Sequence, residues 1–266
     1  MTMTDAELDR DYALLCMAVR EAGDLAMTYF CNSPDTEKKS DGTDVSEADL
    51  AVDALLKQIL LKDRRSYGWL SEETEDSQER LLCEKVWIVD PIDGTRSFLK
   101  ESPEWVVSAA LVQTGYPVLA AVYNPAKDEF FSARRNGGAL LNKNRISVSA
   151  KDALPDSRII ASRSALAKLE MSRNSSGVKL VWINSIAYRL CLVAMGWADA
   201  TISLSAKSEW DLAAAHLLVE EAGGQIATLD GTALTYNKIM PRDANVLAAG
   251  PQLQKLLLDK FARKKT

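Results

Sequence analysis

Apolar residues recur three and four apart from Leu8 through Tyr12, Leu15, Val19, Ala22 and Ala26 to Phe30, which predicts an amphipathic helix over residues 5–30. Residues 31–45 break that period. They are polar, hold Pro34 and Gly42, and predict a loop or a loose hairpin. Ser46 is a favourable helix cap, and Leu50, Leu55, Leu56, Ile59 and Leu60 carry a second helical period behind it. Then the pattern changes. Val86 to Val89 is a short, wholly apolar strand that ends abruptly in Asp90-Pro91-Ile92-Asp93-Gly94-Thr95. Residues 105–112 and 118–123 read as strands joined by the turn Thr114-Gly115-Tyr116-Pro117, and a strand at 128–133 runs into Asn136-Gly137-Gly138.

After Ile146 to Ser149 the chain alternates. Strands are expected near 158–161, 178–183, 200–204, 225–229 and 245–249, and helices near 164–171, 186–196, 211–222 and 251–263. Helices and antiparallel strands followed by alternation predict an α/β protein of stacked helical and sheet layers. Two halves are expected, 1–150 and 151–266, with the seam near Ala150 to Asp156. No flexible linker separates them, so they should pack as one body.

Composition narrows the function. The chain has 266 residues, 47% hydrophobic and 26% charged, as in an ordinary globular protein. Its 32 Lys and Arg stand against 37 Asp and Glu, a net charge of −5. Phosphate neutralisation needs concentrated positive charge, so no nucleic-acid partner is expected. Cys16, Cys31, Cys83 and Cys191 form no C-x-x-C pair and lie far from the single His216, which argues against a zinc or thioredoxin-like site. They read as reduced, mostly buried thiols. Met1 to Arg10 carries acids and no apolar run, and the apolar stretches break well short of the roughly 18–20 residues that span a bilayer. A cytoplasmic protein with no membrane partner is the expectation.

The stretch from Asp90 to Phe98 carries the chemistry. A buried strand that ends on Asp-Pro places a carboxylate at a sheet edge, and Pro91 holds Asp90 in an extended conformation. Asp93 follows three residues later, so both carboxylates can converge on one side of the turn. Gly94 lets backbone approach a ligand closely, and N–H groups of Gly94 and Thr95 at the start of a short helix can hold a phosphate. Two acids this close repel unless a cation compensates, and hard oxygen ligands suit Mg²⁺. The same residues also compose an ordinary turn, so local reading leaves both meanings open.

Here the sequence resembles the inositol monophosphatase superfamily of Mg²⁺-dependent, lithium-sensitive phosphatases. Four segments carry the resemblance: Asp41-Gly42-Thr43-Asp44-Val45-Ser46-Glu47-Ala48-Asp49, Leu70-Ser71-Glu72-Glu73-Thr74, Asp90 to Phe98, and Glu209-Trp210-Asp211-Leu212-Ala213-Ala214-Ala215 followed by Glu221-Ala222-Gly223-Gly224. The resemblance implies the αβαβα sandwich of the inositol monophosphatase and fructose-1,6-bisphosphatase type. It implies that Glu72, Asp90 and the carbonyl of Ile92 hold one metal, and that Asp90, Asp93 and Asp211 hold a second. A third Mg²⁺ would lean on Glu72. Gly94 and Thr95 would contact the substrate phosphate, while Asp49 and Thr95 orient the attacking water for an in-line displacement without a phosphoenzyme. A homodimer is implied as well.

The local alternatives are structural. Asp49 and Asp211 are acids at helix starts, where the helix dipole favours them. Glu72 belongs to an acidic run through Glu79 of the kind that is usually solvated. His216 reads as a packed, hydrogen-bonded histidine, and Trp87, Trp105, Trp182, Trp197 and Trp210 as core or interface residues. Three substrates fit the resemblance: inositol monophosphate, 3′-phosphoadenosine 5′-phosphate and fructose 1,6-bisphosphate. Leu204 stands where inositol-specific members carry a Glu, whereas Arg96, Arg189 and Ser208-Glu209 look more like the bisphosphate nucleotidases. Arg189 would pair with a second phosphate, or else be a surface arginine. Lys39 is a further cation that approaches the site in this reading. The alternative to a small-molecule phosphatase is a non-catalytic or regulatory protein of the same fold.

Overall fold

A computed structural model describes residues 4–32, 34–38, 44–161 and 177–262. The helix expected at 164–171, Lys39, part of the first motif and residues 263–266 lie outside the described residues. Helix α1 (Asp5–Tyr29) is followed by a hairpin of β1 (Thr36–Lys38) and β2 (Asp44–Ser46), then by α2 (Glu47–Leu61). A seven-stranded sheet comes next, in chain order: β3 (Gly68–Ser71), β4 (Lys85–Asp93), β5 (Val106–Gln113), β6 (Tyr116–Asn124), β7 (Glu129–Arg134), β8 (Gly138–Leu141) and β9 (Asn144–Arg145). Only β3 and β4 are parallel. A four-residue helix α3 (Thr95–Phe98) caps the end of β4.

The second part contains β10 (Arg158–Ala161), β11 (Lys179–Val181), α4 (Ile186–Ala194), β12 (Ala200–Ser203), β13 (Lys207–Ser208), α5 (Glu209–Glu221), β14 (Gln225–Ala227), β15 (Arg242–Asp243), β16 (Val246–Ala249) and α6 (Pro251–Ala262). Its sheet has the order β11-β10-β12-β16-β14, parallel at one end and antiparallel at the other.

Side-chain alternation along β4 sets the layers. Trp87 and Val89 face one way and pack with Leu15, Val19 and Ala22 of α1 and Val52, Leu56 and Leu60 of α2. Val86 and Ile88 face the other way and pack with α4 and α5, which in turn meet Ile160, Val246 and Ala248 of the second sheet. The opposite face of that sheet, Ile159, Ala161, Ile202 and Leu247, buries Leu253, Leu257 and Phe261 of α6. The result is five layers, helices–sheet–helices–sheet–helix, as the αβαβα expectation has it.

Some expectations need correction. Strands 68–71, 138–141 and 144–145 are too short to show a period, and the hydrophobic pattern does not reveal them. Helix α5 begins at Glu209, two residues before the expected start, with Ser208 as its cap. Of the four free cysteines only Cys191 is buried, and Cys31 is exposed. Trp87 and Trp105 are core residues, but Trp182 is 63% exposed, so it packs neither core nor any described interface.

Candidate active site

Asp90 and Asp93 are brought together by an irregularity in β4. Three residues apart in a regular strand would point to opposite faces. Asp90 pairs with Ser108 and Asp93 with Val106, so β4 spends one residue more than β5 between those pairs. That bulge restores a common side, and it accommodates Pro91, which has no N–H to give the ladder. Gly94 then turns the chain with φ of +100°. A Cβ there would sit 3.0 Å from the Glu104 carbonyl and 3.1 Å from Ser185 Cβ, so glycine is required both by conformation and by space.

Three acids from distant segments meet beside this turn. Carboxylate oxygens of Glu72, Asp90 and Asp211 all lie within 4.8 Å of one another. Glu72 continues the β3–β4 pairing, its N–H donating to the Val89 carbonyl at 3.3 Å. Asp211 sits in the first turn of α5, where its Oδ2 accepts from the Ser208 N–H at 2.9 Å. Asp90 is 1% exposed, and neither of its carboxylate oxygens accepts a hydrogen bond among the described residues. Burial, and then Glu72, Asp93 and Asp211, push its pKa well above the usual carboxylate range. Burial likewise raises Asp211 to about 7, with Asp93 and Glu72 adding to the rise.

Asp93 lies outside that trio. Its Oδ2 accepts two hydrogen bonds of 2.6 Å, from Ser185 Oγ and from the Ala187 N–H at the start of α4. Burial still raises its pKa to about 6, against those two donors. Ser185 is a residue sequence reasoning missed. Its signal was its place before an apolar helix, since it caps α4 by accepting from the Tyr188 N–H at 3.0 Å while donating to Asp93.

Asp49 and Thr95 meet at the same end. Asp49 is 1% exposed. Its Oδ2 accepts from the Ser46 N–H at 2.8 Å and from Ser46 Oγ at 2.6 Å, and its Oδ1 faces Thr95 Oγ1 at 3.3 Å. The Thr95 hydroxyl also reaches the Ile92 carbonyl at 3.1 Å. Its one hydrogen is thus directed at the Asp49–Ile92 pair, which leaves its lone pairs to accept from a further donor. Gly94 and Thr95 begin α3, where N–H groups have no acceptor within the helix.

The sequence model of the inositol monophosphatase family matches residues 7–266. The chain belongs to the inositol monophosphatase family. It is 36% identical over 235 residues to an inositol-1-monophosphatase of Mesorhizobium japonicum, covering 83% of each chain. It is 30% identical to the 3′(2′),5′-bisphosphate nucleotidase CysQ of Escherichia coli K12, over 86% of this chain and 94% of that one. Among solved structures, the extragenic suppressor protein suhB from Bartonella henselae superposes with a TM-score of 0.81 at 28% identity, over 94% of this chain and 97% of its own. This family member is therefore a phosphatase, with the layered fold of its relatives. No described helix is long and apolar enough to cross a membrane.

Next to the acids of this phosphatase lies a cavity of about 520 Å³. Arg96, Arg189 and Lys207 line it with Trp182, Asn184 and Leu204, and no carboxylate is among its described lining residues. Arg189 is not a surface arginine. It is 7% exposed, donates from Nε to the Ile183 carbonyl at 2.6 Å, and lies 5.1 Å over the Trp182 ring. Burial lowers its pKa. Lys207 had no local signal in the sequence, yet its charge acts on both Asp93 and Asp211. His216 is a packed residue as expected, with Nδ1 at 2.8 Å from the Tyr236 hydroxyl and Nε2 at 3.1 Å from Glu220.

Proposed function

We propose that this chain is a Mg²⁺-dependent phosphomonoesterase acting on a small phosphorylated compound that carries a second anionic group. The observation that carries the metal reading is Asp90, a buried carboxylate with no hydrogen-bond donor among the described residues, ringed by Glu72, Asp93 and Asp211. Leaving a buried charged acceptor unmet costs several kcal/mol, about 1–3 for an ordinary polar group and more for a charge. A divalent cation removes that cost and lowers the pKa of all the acids around it. Oxygen-only donors fit Mg²⁺. In this reading Glu72, Asp90, Asp93, Asp211 and the Ile92 carbonyl hold the ions, two or three in number.

When bound, Mg²⁺ supplies charge stabilisation and a more acidic water. The rest falls to the chain's own groups. Gly94 and Thr95 present N–H groups to the phosphate. Thr95 Oγ1, turned by Asp49, accepts a hydrogen bond from water and aims its oxygen at phosphorus, opposite the departing ester oxygen.

Arg96, Arg189 and Lys207 support the substrate assignment. Three cations with no carboxylate among the described lining residues suit a second phosphate better than neutral hydroxyls, and Trp182 offers a flat face to a base or ring. Among the three candidates this favours 3′-phosphoadenosine 5′-phosphate and fructose 1,6-bisphosphate over inositol 1-phosphate. The test is phosphate release from all three, with Mg²⁺ and with chelator, using Asp93→Asn as control. The expected result is Mg²⁺-dependent release with kcat/KM at least about tenfold higher for the bisphosphates, a difference of about 1.4 kcal/mol. Release that persists in chelator would sink the metal reading, and no release from any of the three would sink the substrate reading. A preference for inositol 1-phosphate would sink only the second-anion reading.

A further inference from the structure

Helix α2 carries two acids on one face, Asp49 and, one turn later, Asp53. Asp49 reaches Thr95. Asp53 is only 7% exposed, and its two oxygens are engaged by hydroxyls on either side of Glu72. Oδ1 accepts from Ser71 Oγ, and Oδ2 accepts from Thr74 Oγ1 at 2.5 Å. Those hydroxyls flank Glu72, at one residue before it and two after. Thr74 Oγ1 in turn accepts from Trp69 Nε1 at 3.2 Å, which fixes it from the β3 side. The Glu72 N–H is held to Val89, the residue before Asp90. One buried carboxylate thus closes the turn from Ser71 to Thr74 and sets the direction in which Glu72 leaves the end of β3.

We propose that Asp53 is a positioning residue for divalent-cation binding: by gripping Ser71 and Thr74 it holds Glu72 in register with Asp90 and Asp211. The proposal rests on the reading of Glu72 as a metal ligand. A flexible Glu72 must be ordered when the ion binds, and that ordering opposes affinity; a clamped Glu72 is already in place. Groups that orient metal ligands without touching the ion cost 10–100-fold in affinity when removed.

The experiment is calorimetric titration of the metal-free protein with Mg²⁺ and Mn²⁺, which needs no turnover, together with the Mg²⁺ dependence of kcat and KM. Asp53→Asn is expected to weaken ion affinity about tenfold. Substrate KM at saturating Mg²⁺ should stay within about twofold of the parent, because the substrate pocket is untouched. Thr74→Val should shift affinity in the same direction by less, and combining the two should add little to Asp53→Asn alone, because both break the same clamp. If Asp53→Asn binds ions as tightly as the parent and only melts earlier, Asp53 is a structural brace and the proposal is wrong. Should Asp53→Asn fail to fold, Thr74→Val decides: unchanged affinity there overturns the proposal. A parent protein that binds no divalent ion at all would fail the metal reading itself, which is a different outcome.

Discussion

Two groups of buried charge sit a short distance apart, and they are built in opposite ways. Around Glu209, everything is matched. Glu209 is fully buried and accepts from the Asn237 N–H at 2.6 Å and the Lys238 N–H at 3.0 Å, with Lys238 Nζ at 3.8 Å. Arg80, 2% exposed, gives Nε and Nη2 to Asp76 at 2.6 and 2.9 Å, Nη1 to Asn237 at 2.7 Å, and a further bond to the Lys238 carbonyl. Around Asp90, carboxylates face one another and the central one has no donor among the described residues. The same chain that supplies donors to Glu209 withholds them from Asp90. Satisfied burial marks a structural tie, here between the loop after Glu72 and the start of the helix that carries Asp211. Unsatisfied burial marks a place where something from outside completes the shell.

The sharpest way to break the contrast is to neutralise one member on each side. Asp90→Asn should cut Mg²⁺-dependent turnover at least about a hundredfold, more than a group behind the ligands would. The same change should leave the chelated protein at least as stable as the parent at pH 8, since it removes a buried charge that the described residues do not pair, and should abolish most of the rise in unfolding midpoint on adding Mg²⁺. Arg80→Met should do the reverse. It leaves Asn237 Oδ1 and the Lys238 carbonyl without their donor, while the partly exposed Asp76 can turn to water, so a loss of about 1–3 kcal/mol is expected. That loss should be the same with and without Mg²⁺. Paired melting curves decide it; a stable Arg80→Met protein, or a destabilised Asp90→Asn protein, would dissolve the distinction.

Acidity sharpens it further, with a smaller effect. Asp93 and Asp211 titrate at about 6 and about 7 in the folded, ion-free chain, and Asp90 is also raised. Their unfolded values lie at about 4. A raised folded value means the unfolded chain loses its proton first, so the stability these groups add is full below about pH 4 and disappears as pH climbs through 6 to 7. Mg²⁺ competes with those protons. The gain in midpoint from Mg²⁺ should therefore be small at pH 5 and grow to a plateau by pH 8. Glu209 is raised to about 7 as well, by burial, but it lies on the matched side and shifts both curves alike. Taking the difference between curves with and without Mg²⁺ removes it. A flat difference across that range would mean that the acids do not bind the ion.

How far the sequence foretold this site depends on how local each contact is. The apolar run before Asp90, the Asp-Pro step and Gly94 all fall within nine residues, so the turn and its two carboxylates were readable. Even there the decisive bulge was not, because it is defined by the register of β4 against β5 rather than by either strand alone. Glu72 could be picked from its acidic run only through the family resemblance, since its neighbours Asp53 and Asp211 are 19 and 139 positions away. Asp53 itself looks like any acid on a helix until Ser71 and Thr74 close on it. The Arg80–Asn237 bond spans 157 residues and leaves no trace in any periodicity. Stacked helical and sheet layers were legible because alternation and helical periods are local, whereas their number and order came from the family resemblance. Which buried charges are matched was not, because matching is a property of the folded neighbourhood.

Asp49 and Asp211 show the two readings coinciding, and they give the finest test. Each is the acid of a Ser-x-x-Asp helix start, Ser46 to Asp49 and Ser208 to Asp211, and each accepts from the N–H of its serine. The structural explanation, a first-turn acid that caps its own helix, is correct for both. It does not compete with a role at the site. Asp49 spends Oδ2 on the helix start and turns Oδ1 to Thr95, and Asp211 caps α5 while a carboxylate oxygen of it lies among Glu72 and Asp90. The cap is what holds the carboxylate still. Ser46→Ala removes the 2.6 Å hydroxyl bond to Asp49 Oδ2 but keeps the backbone one. The expected cost is about 1 kcal/mol of stability, typical of a lost cap. Because Asp49 turns the Thr95 hydroxyl, kcat should fall about threefold with Mg²⁺ affinity unchanged, the mirror image of Asp53→Asn. Measuring kcat and ion affinity on the same Ser46→Ala preparation separates the two acids of α2. A shift in ion affinity with kcat intact would assign Asp49 to the metal rather than to the water.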